Sequence, residues 1–496
     1  MIISLEIAFS LNIMRWNGRH LRKSKLIIRP KILDLSRFLV FLFLSFFTFY
    51  LSPFASNALA SPLDYYGYGS RAAGMGNAQT AMANDFSAVY YNPAALVMAE
   101  KPTIGVGFSY NYVGLHTSGL TKGGQDFNIN NIDPLYGYTL GICLPLKGKL
   151  QGKAAIGVGA FFPGDWYYIR TRSQELDEPE FIIDQIRTRR QEIAIAAAYR
   201  PLKIVSFGLG IHITPDASGT SNMSVDVPEL KGQNGGYPPT FDVNWDLVSH
   251  ISFMAGVHFQ IRKNLAAGIN FRDKIDVLFS IPVEMKLTNL GMIVLEQETA
   301  KTHIISHVSY TPRHVNLGVY YAPLDRLNLE ADLFWYNWAD FPNPAPTIKI
   351  SSDVSFLPQP TFVPNPSPGF HNTFSPNLGA EYKLTEKVML RGGYSFVPTP
   401  VPSQKGESNF LDQDRHILAV GTGVFFQDPF NLFGEPIRMD LHFQYHILGS
   451  QNISKSASIQ SDYDNRTHLG GYPYSTDYKT EGNIFGGGIS FSFTLQ

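Results

Sequence analysis

Apolar and polar residues alternate with a period of two along most of the chain after residue 102. At the C-terminal end, apolar residues are separated by glycine, serine and threonine: Phe485, Ile489, Phe491, Phe493 and Leu495. The same alternation runs through residues 205–213 and 439–447. Because successive side chains of a strand point to opposite faces, this pattern predicts long strands with one apolar face and one small or polar face.

Fourteen such segments follow one another, and they predict strands at roughly 103–116, 134–146, 153–170, 187–201, 203–216, 249–262, 265–286, 302–323, 325–340, 374–384, 387–398, 415–427, 436–449 and 482–495. Connections after odd-numbered strands are long, and those after even-numbered strands are short. An even strand count with loops on one side and tight turns on the other is typical of a bacterial outer-membrane barrel. We therefore predict an all-β fold, a 14-stranded antiparallel transmembrane β-barrel over residues 103–496.

Composition supports a sheet in a membrane over a soluble core. Charged residues make up 16 % of the chain, against about 25 % in soluble domains. Charges such as Arg438 and Asp440 fall on the polar strand face, which indicates a water-facing lumen with lipid outside. The single cysteine, Cys143, excludes a disulfide framework. Residues 341–370 hold eight prolines, so we expect an unpaired external loop that folds over the mouth.

The N-terminal residues have the pattern of a targeting segment. Eight basic residues between positions 15 and 37 precede an apolar run that starts at Phe38 and the small-residue site Ala58-Leu59-Ala60. This order predicts a secretory signal peptide over residues 1–60, cleaved near Ala60. Translation starts at Met1 or at Met14. After cleavage the net charge is −7, which does not favour nucleic acid as a partner.

Residues 61–102 lack the strand pattern and are rich in small residues. They contain Gly74-x-Gly76-x-Ala78, Asn84-Asp85 followed by Ser87-Ala88, and Asn92-Pro93-Ala94. A second block follows about 300 residues later, with Leu390-Arg-Gly-Gly-Tyr394, Pro400-Val401-Pro402 and Asp412-Gln-Asp-Arg-His416. On these motifs the chain resembles the FadL/TodX family of outer-membrane transporters for long-chain fatty acids and other hydrophobic compounds, over its whole mature length.

The resemblance implies a fold and a mechanism. Residues 61–102 are expected to form a hatch inside the lumen, with Asn92, Pro93 and Ala94 as its gating turn. The expected function is passive uptake of hydrophobic compounds, foremost long-chain fatty acids. External loops would capture the ligand, a hatch-gated pocket would hold it, and a gap in the barrel wall would release it sideways. Uptake of aromatic hydrocarbons or alkanes, and a secretion-associated scaffold that transports nothing, remain as alternatives.

Two further sets of residues are candidates for function. Phe162, Pro163 and Gly164 interrupt the third predicted strand, and proline and glycine weaken pairing, so this is the candidate for a lateral opening. The alternative is that the strand simply ends there. A ligand carboxylate needs a cation, and our candidates are Arg391 and Arg438 on inward positions and Arg170 beside the second external loop.

The remaining expectations concern partners and chemistry. No cofactor or metal is predicted, because His442 and His446 are about 13 Å apart along a strand. No Gly-x-Ser-x-Gly is present, so we do not predict an enzyme such as an outer-membrane phospholipase. The expected partners are the hydrophobic ligand, outer-membrane lipid with lipopolysaccharide, and the barrel assembly machinery, and the protein is expected to be a monomer.

Overall fold

The computed structural model describes residues 66–130, 132–164, 179–182, 191–224, 240–290, 293–345, 347–352, 367–406, 408–429, 432–460 and 475–495. The predicted signal peptide, the first residues of the predicted hatch and Arg170 lie outside this set. Within it, no helix has the length and apolar character needed to cross a membrane.

Fourteen antiparallel strands form a closed barrel, in which each strand pairs with its neighbours in the chain. They are β1 Thr103–Ser118, β2 Leu135–Pro145, β3 Ala154–Pro163, β4 Glu192–Leu202, β5 Val205–Ser224, β6 Thr240–Arg262, β7 Leu265–Arg272, β8 His314–Leu324, β9 Leu327–Tyr336, β10 Thr373–Lys383, β11 Val388–Val397, β12 Arg415–Phe426, β13 Ile437–Ser454 and β14 Asp477–Thr494. Thr103 of β1 lies opposite both Thr494 of β14 and Cys143 of β2, which closes the ring. The predicted fold and strand number are confirmed.

The two faces of the strands have opposite characters, as the alternation predicts. On β13, Leu441 and Phe443 are exposed on the outside, whereas Asp440 and Gln444 are fully buried inside. Leu209 on β5 is 69 % exposed. Such a belt of exposed apolar side chains around a closed barrel is suited to lipid, while the inner face carries the polar groups.

The seventh and eighth predicted strands, 265–286 and 302–323, are each broken, which the sequence analysis missed. β7 ends at Arg272 and β8 begins at His314, and between them an outer hairpin pairs Ile275–Leu290 with Ile293–Thr311. Pro312 has no N–H for a ladder bond, and Arg313 Nε donates to Asp273 Oδ1 at 2.8 Å across the break. The strands of the barrel wall are therefore separated from those of the outer hairpin by breaks at residues 273–274 and 312–313.

The proline-rich segment 341–370 contains a strand, so the prediction of an entirely unpaired loop was wrong. Thr347–Ser352 pairs with residues 300–305 of the outer hairpin. This stretch reads Thr-Ile-Lys-Ile-Ser-Ser and lies between two groups of prolines, so its ladder donors are intact. Residues 353–366 lie outside the described set.

The remaining elements are short. Residues 66–102, here called the N-terminal segment, contain α1 Ser70–Ala73, α2 Ala88–Tyr91 and a 3₁₀ helix Pro93–Met98. Two more 3₁₀ turns are Gly148–Leu150 and Trp338–Asp340. Small strands pair Thr121–Lys122 with Gln125–Asp126, and Glu180–Phe181 with Phe410–Leu411. The N-terminal segment contacts inward-facing residues of strands on opposite sides of the barrel, as described next.

Candidate functional site

The Asn92-Pro93-Ala94 turn has the local structure that its residue types favour. Asn92 is extended, with φ −162° and ψ 104°, as expected for a residue before proline. Its Oδ1 accepts a hydrogen bond from Ala94 N at 3.1 Å and so caps the 3₁₀ helix, with Pro93 at the first position. Asn92 Nδ2 donates to Thr80 O at 2.9 Å and to Val257 O of β6 at 3.2 Å. The turn is thereby tied both to the segment and to the barrel wall.

Glycines on the inner face of the barrel leave room for this turn. A Cβ at Gly208 of β5 would lie 2.3 Å from Ala94 N, and one at Gly256 of β6 would lie 2.1 Å from Asn92 Oδ1. These two glycines are directly paired across the strands. The backbone of the segment therefore approaches the wall more closely than any side chain would allow.

A second pair of glycines seats the first half of the segment on the other side of the barrel. A Cβ at Gly393 of β11 would lie 2.2 Å from Gly76 N, and one at Gly379 of β10 would lie 2.8 Å from Met75 O. Gly379 and Gly393 are also directly paired. Gly76 itself has φ +62°, a left-handed conformation that favours glycine.

Three arginines and three carboxylates form a closed ring of alternating charge, here called the ionic ring. Arg71 and Asp85 belong to the N-terminal segment, whereas Glu381, Arg391, Asp440 and Arg438 project inward from β10, β11 and β13. The contacts run from Arg71 to Glu381 at 3.1 Å, Glu381 to Arg391 at 2.7 Å, Arg391 to Asp440 at 2.9 Å, Asp440 to Arg438 at 2.8 Å, Arg438 to Asp85 at 2.6 Å and Asp85 to Arg71 at 3.7 Å. All six groups are largely buried, so each depends on its neighbours for compensation.

Asp85 is held as a carboxylate by this arrangement. Burial acts to raise the pKa of Asp85, but the guanidinium groups of Arg438 and Arg71 and a hydrogen bond from Ser87 outweigh it and hold the pKa well below its usual range. Ser87 N donates to Asp85 Oδ1 at 2.9 Å. The link between the segment and the barrel at Asp85 is therefore charged at neutral pH.

A second anchor on β9, the strand next to β10, uses carboxylates that accept hydrogen bonds from backbone. Asp332 Oδ2 on β9 accepts from Gln79 N at 2.9 Å and Thr80 N at 3.0 Å, and Glu330 Oε1 accepts from Ala81 N at 2.6 Å. His258 Nε2 lies 3.1 Å from Ala81 O. Residues 79–81 are thus held by their peptide groups.

A cavity lies on the loop side of the N-terminal segment, with a volume of about 810 Å³ that includes space open to solvent. Asn77, Tyr90 and Tyr91 of the segment form one wall. The other walls come from the loop-side ends of strands and combine aromatic and polar groups, among them Arg272, His314, Phe334, Tyr336, Trp338, Asn377 and Arg415.

Arg272 connects this cavity to the N-terminal segment. It is the last residue of β7 and is 2 % exposed. Its Nη2 donates to Tyr90 O at 2.6 Å, and its guanidinium carbon lies 4.0 Å from the centre of the Tyr90 ring. Tyr90 belongs to α2, which leads directly into the Asn92-Pro93-Ala94 turn. A group that binds Arg272 therefore touches the support of that turn.

Aromatic side chains from the external loops pack over the cavity. Phe341 and Phe370 are stacked with ring centres 4.3 Å apart, and Phe410 meets Phe370 edge-on at 5.4 Å. Trp338 both lines the cavity and joins this cluster, with its ring centre 6.1 Å from that of Phe341. The lining of the cavity is thus continuous, through Trp338, with an apolar cluster on its external side.

The arginines chosen from sequence occupy inward positions, as expected, but they serve the ionic ring. Arg391 contacts Glu381 and Asp440, and Arg438 contacts Asp440 and Asp85. Arg438 thus pairs with Asp440, which lies two residues away on the same face of β13. The ligand role of these two residues stays a prediction, and Arg170 lies outside the described residues.

The candidate lateral opening lies where β3 ends. Phe162 and Pro163 continue the ladder with β2 without a register shift, and Gly164 N donates to Tyr136 O at 2.8 Å. Pairing with β4 ends two residues before Pro163, at Phe161 opposite Glu192. The missing N–H of Pro163 therefore falls on the edge that faces β4. Whether the wall opens there stays a prediction.

Several residues of the site were not selected from the sequence. Arg272 and Arg415 lie at strand ends, where the period-two pattern fades. Asp85 is within the motif that starts at Asn84, yet its partner Arg438 lies 353 residues away, and Arg71 lies 310 residues from its partner Glu381. A signal was available in the inward-facing glycines, whose positions mark where the N-terminal segment touches the wall.

Comparison with known proteins agrees with this architecture. A family profile described as outer membrane protein transport protein (OMPP1/FadL/TodX) matches residues 54–493. An alkane uptake protein A from Marinobacter nauticus is 26 % identical over 186 residues, which span only 37 % of each chain. A long-chain fatty acid transport protein from Shigella flexneri is 22 % identical over 383 residues, covering 71 % of this chain and 82 % of the relative.

Solved structures share the fold at low identity. A Pseudomonas aeruginosa FadL homologue superimposes with a TM-score of 0.57 at 16 % identity, covering 89 % of this chain and all of that one. The Pseudomonas putida toluene transporter TodX gives a TM-score of 0.50 at 14 % identity, covering 87 % and 99 %. With a family match that spans most of its length, the chain belongs to the OMPP1/FadL/TodX family and is an outer-membrane β-barrel transport protein for hydrophobic compounds.

Proposed function

We propose that this protein takes up long-chain fatty acids and holds them in the cavity above the N-terminal segment. The observation that carries the proposal is the lining of that cavity, where two arginines and several amide and hydroxyl groups accompany aromatic rings. A carboxylate forms strong charge-assisted hydrogen bonds with arginine, and the rings would contact the alkyl chain. A pure hydrocarbon would cover the same polar groups without replacing their hydrogen bonds to water, which is costly.

Release is the energetically difficult step. A chain of fourteen methylenes gains on the order of 11 kcal/mol on leaving water, at about 0.8 kcal/mol per methylene. A pocket that holds such a chain must therefore be weakened before the ligand can leave. The N-terminal segment supplies one wall of the cavity and is the natural hatch, with Asn92, Pro93 and Ala94 as its gating turn.

In this proposal, Arg272 couples binding of the ligand to movement of the gating turn. Its guanidinium group holds the carbonyl of Tyr90 and stacks on the Tyr90 ring. A ligand carboxylate competes for the same guanidinium group, and charge-assisted bonds are stronger than bonds to a neutral carbonyl. Binding would thus loosen α2 and the turn that follows it, and the ligand would leave sideways past Phe162, Pro163 and Gly164.

Uptake of radiolabelled oleate, methyl oleate and toluene tests the substrate class in cells that lack their own transporter. Wild type should import oleate at least about tenfold faster than empty cells, and the Arg272→Met/Arg415→Met variant should lose most of this gain, because each bond to a charged group contributes about 1.5–3 kcal/mol. Arg326→Met, in the turn between β8 and β9, is the matched control and should transport normally.

Each other outcome has a definite meaning when the barrel is assembled normally. If toluene or methyl oleate enters as fast as oleate, and the double variant transports all three, the carboxylate assignment is wrong and a hydrocarbon channel is favoured. If no compound enters faster than in empty cells, the transport proposal itself fails. Deletion of Asn92-Pro93-Ala94 should change oleate uptake in any hatch-gated mechanism.

A further inference from the structure

The turn side of the barrel has an uneven distribution of charge. Three adjacent turns, after β2, β4 and β6, carry only basic charged residues: Lys147, Lys149, Lys153, Lys203, Arg262 and Lys263. We call this group the basic crescent. All six side chains are exposed, and no acidic residue occurs in residues 144–154, 200–206 or 259–266. The chain as a whole has a net charge of −1, so the crescent is a local concentration.

The opposite half of the same rim is mixed in charge. Lys383 pairs with Glu386, and Lys101 pairs with Glu435. Arg326 follows Asp325 directly in the turn between β8 and β9. Basic residues here have acidic neighbours, whereas those of the crescent do not, so the positive field is confined to one side of the rim.

Large apolar side chains stand beside the basic ones in the crescent. Leu202 and Ile204 flank Lys203 and are 60 % and 61 % exposed, and Ile261 precedes Arg262 at 55 % exposure. Leu150 in the first turn is also exposed. In water this would be unfavourable, but at a membrane boundary the apolar groups enter the acyl layer while the lysine and arginine heads reach the headgroups.

We propose that the basic crescent binds the phosphate headgroups of anionic phospholipids in the periplasmic leaflet. The short turns of an outer-membrane barrel lie on the periplasmic side, where the lipid is phospholipid. Lysine and arginine clusters next to apolar surface recognise anionic headgroups in this way. An acidic protein surface would match the charge, but it would not account for the exposed leucine and isoleucine side chains between the lysines.

The placement of the crescent relates it to the N-terminal segment. The 3₁₀ helix Pro93–Met98 packs against β4, β5 and β6, the strands that enter the second and third of these turns. Arg200, three residues before Lys203, has Nη1 3.8 Å from Met98 Sδ. Bound lipid would therefore sit below the end of the segment that leads into β1. The proposal does not depend on which hydrophobic compound is transported.

Native mass spectrometry of the purified full-length protein in neutral detergent tests this directly, with phosphatidylglycerol and phosphatidylethanolamine as probes. Wild type should retain phosphatidylglycerol over phosphatidylethanolamine by at least about tenfold. Lys149→Gln/Lys203→Gln/Lys263→Gln should abolish the preference. Arg326→Gln/Lys383→Gln/Lys387→Gln removes the same charge from the opposite half and should keep it. Heat-modifiable migration on gels confirms assembly of each variant.

Three results would overturn the proposal. The first is an unchanged preference in the crescent variant, which would leave an acidic protein as the remaining occupant to test. The second is an equal loss in both variants, which would indicate a non-specific effect of net charge. The third is displacement of phosphatidylglycerol by an equal concentration of inorganic phosphate, because that would show recognition of phosphate without the lipid.

Discussion

The two halves of the N-terminal segment are attached to the barrel by different physical means. The first half, residues 70–87, is joined to β10, β11 and β13 through the ionic ring. The second half, residues 88–98, is seated on Gly208 and Gly256 and held by hydrogen bonds from Asn92 and Arg272. Residues 79–81, at the second anchor, lie within the first half, between Arg71 and Asp85.

This difference indicates which half moves. To separate the first half, buried charges must lose their partners, which costs several kcal/mol. To lift the second half, close van der Waals contacts and a few hydrogen bonds, one of them from the Arg272 guanidinium, must be given up, and water or ligand can replace these bonds. The second half also lines the cavity through Tyr90 and Tyr91. We therefore expect the first half to be a fixed base and the second half to be the gate.

Glu381→Gln should give the largest effect, because Glu381 contacts both Arg71 and Arg391 in the ring. The buried guanidinium groups lose their compensating charge, and we expect the free energy of unfolding to fall by about 3–5 kcal/mol. Urea-induced unfolding from phospholipid vesicles measures this change. Glu481→Gln is the matched control, since Glu481 pairs with Lys479 and His116 in an exposed position on β14.

The ring would not be the base of the segment if the two substitutions had equal effects. The same would follow from a loss in Glu381→Gln below about 1 kcal/mol, the range of a surface ion pair.

Gly208→Ala tests the gate directly and should have a smaller effect. The added Cβ would meet Ala94 N at 2.3 Å and push the 3₁₀ helix off the wall, at a cost of about 1–3 kcal/mol. Cys143, the only cysteine, is buried with Sγ 3.6 Å from Leu96 O of that helix, so its alkylation reports the displacement. We expect alkylation to become about tenfold to a hundredfold faster.

Gly392→Ala on β11 is the control for this substitution, since no atom lies within 4 Å of its added Cβ. Alkylation in this variant should match wild type. Glu381→Gln sharpens the comparison, because under folding conditions it should leave Cys143 more protected than Gly208→Ala does. If Gly208→Ala leaves the thiol as protected as wild type, the second half is not the mobile part.

The barrel could be predicted from sequence because the patterns that indicate it are short-range along the chain. Alternation along each strand, and long or short connections by strand parity, gave the strand number and the inward positions of Arg391 and Arg438. The break after Arg272 could not be predicted in this way, because alternation continues through Asp273 and Lys274 into the outer hairpin. There the break depends on Pro312 and on a contact between Asp273 and Arg313, which lie between strands and 40 residues apart in the chain.

The site was less predictable, because its contacts join distant parts of the chain. Arg391 and Arg438 were interpreted as candidate ligands for a carboxylate, because a carboxylate needs a cation and both residues have inward positions. The partners are carboxylates of the protein, and Asp85 contacts Arg438 only because the N-terminal segment folds into the barrel. Similarly, Arg272 gains its position from Tyr90, which is 182 residues away.

The dependence on pH should be the smallest effect and should distinguish the ionic base from a titrating switch. The pKa of Asp85 in the folded protein lies below its ordinary value of 3.8. Its stabilising contribution is therefore fully present above that value and is lost only as the pH falls through the lower, folded-state pKa.

The difference in unfolding free energy between wild type and Asp85→Asn should consequently be constant from about pH 5 to pH 8 and should shrink below about pH 4. Urea unfolding at a series of pH values measures it. A difference that already declines between pH 7 and pH 5 would mean that the carboxyl of Asp85 takes up a proton in this range. In that case the ring would loosen under mildly acid conditions, and the first half of the segment would be a second gate instead of a fixed base.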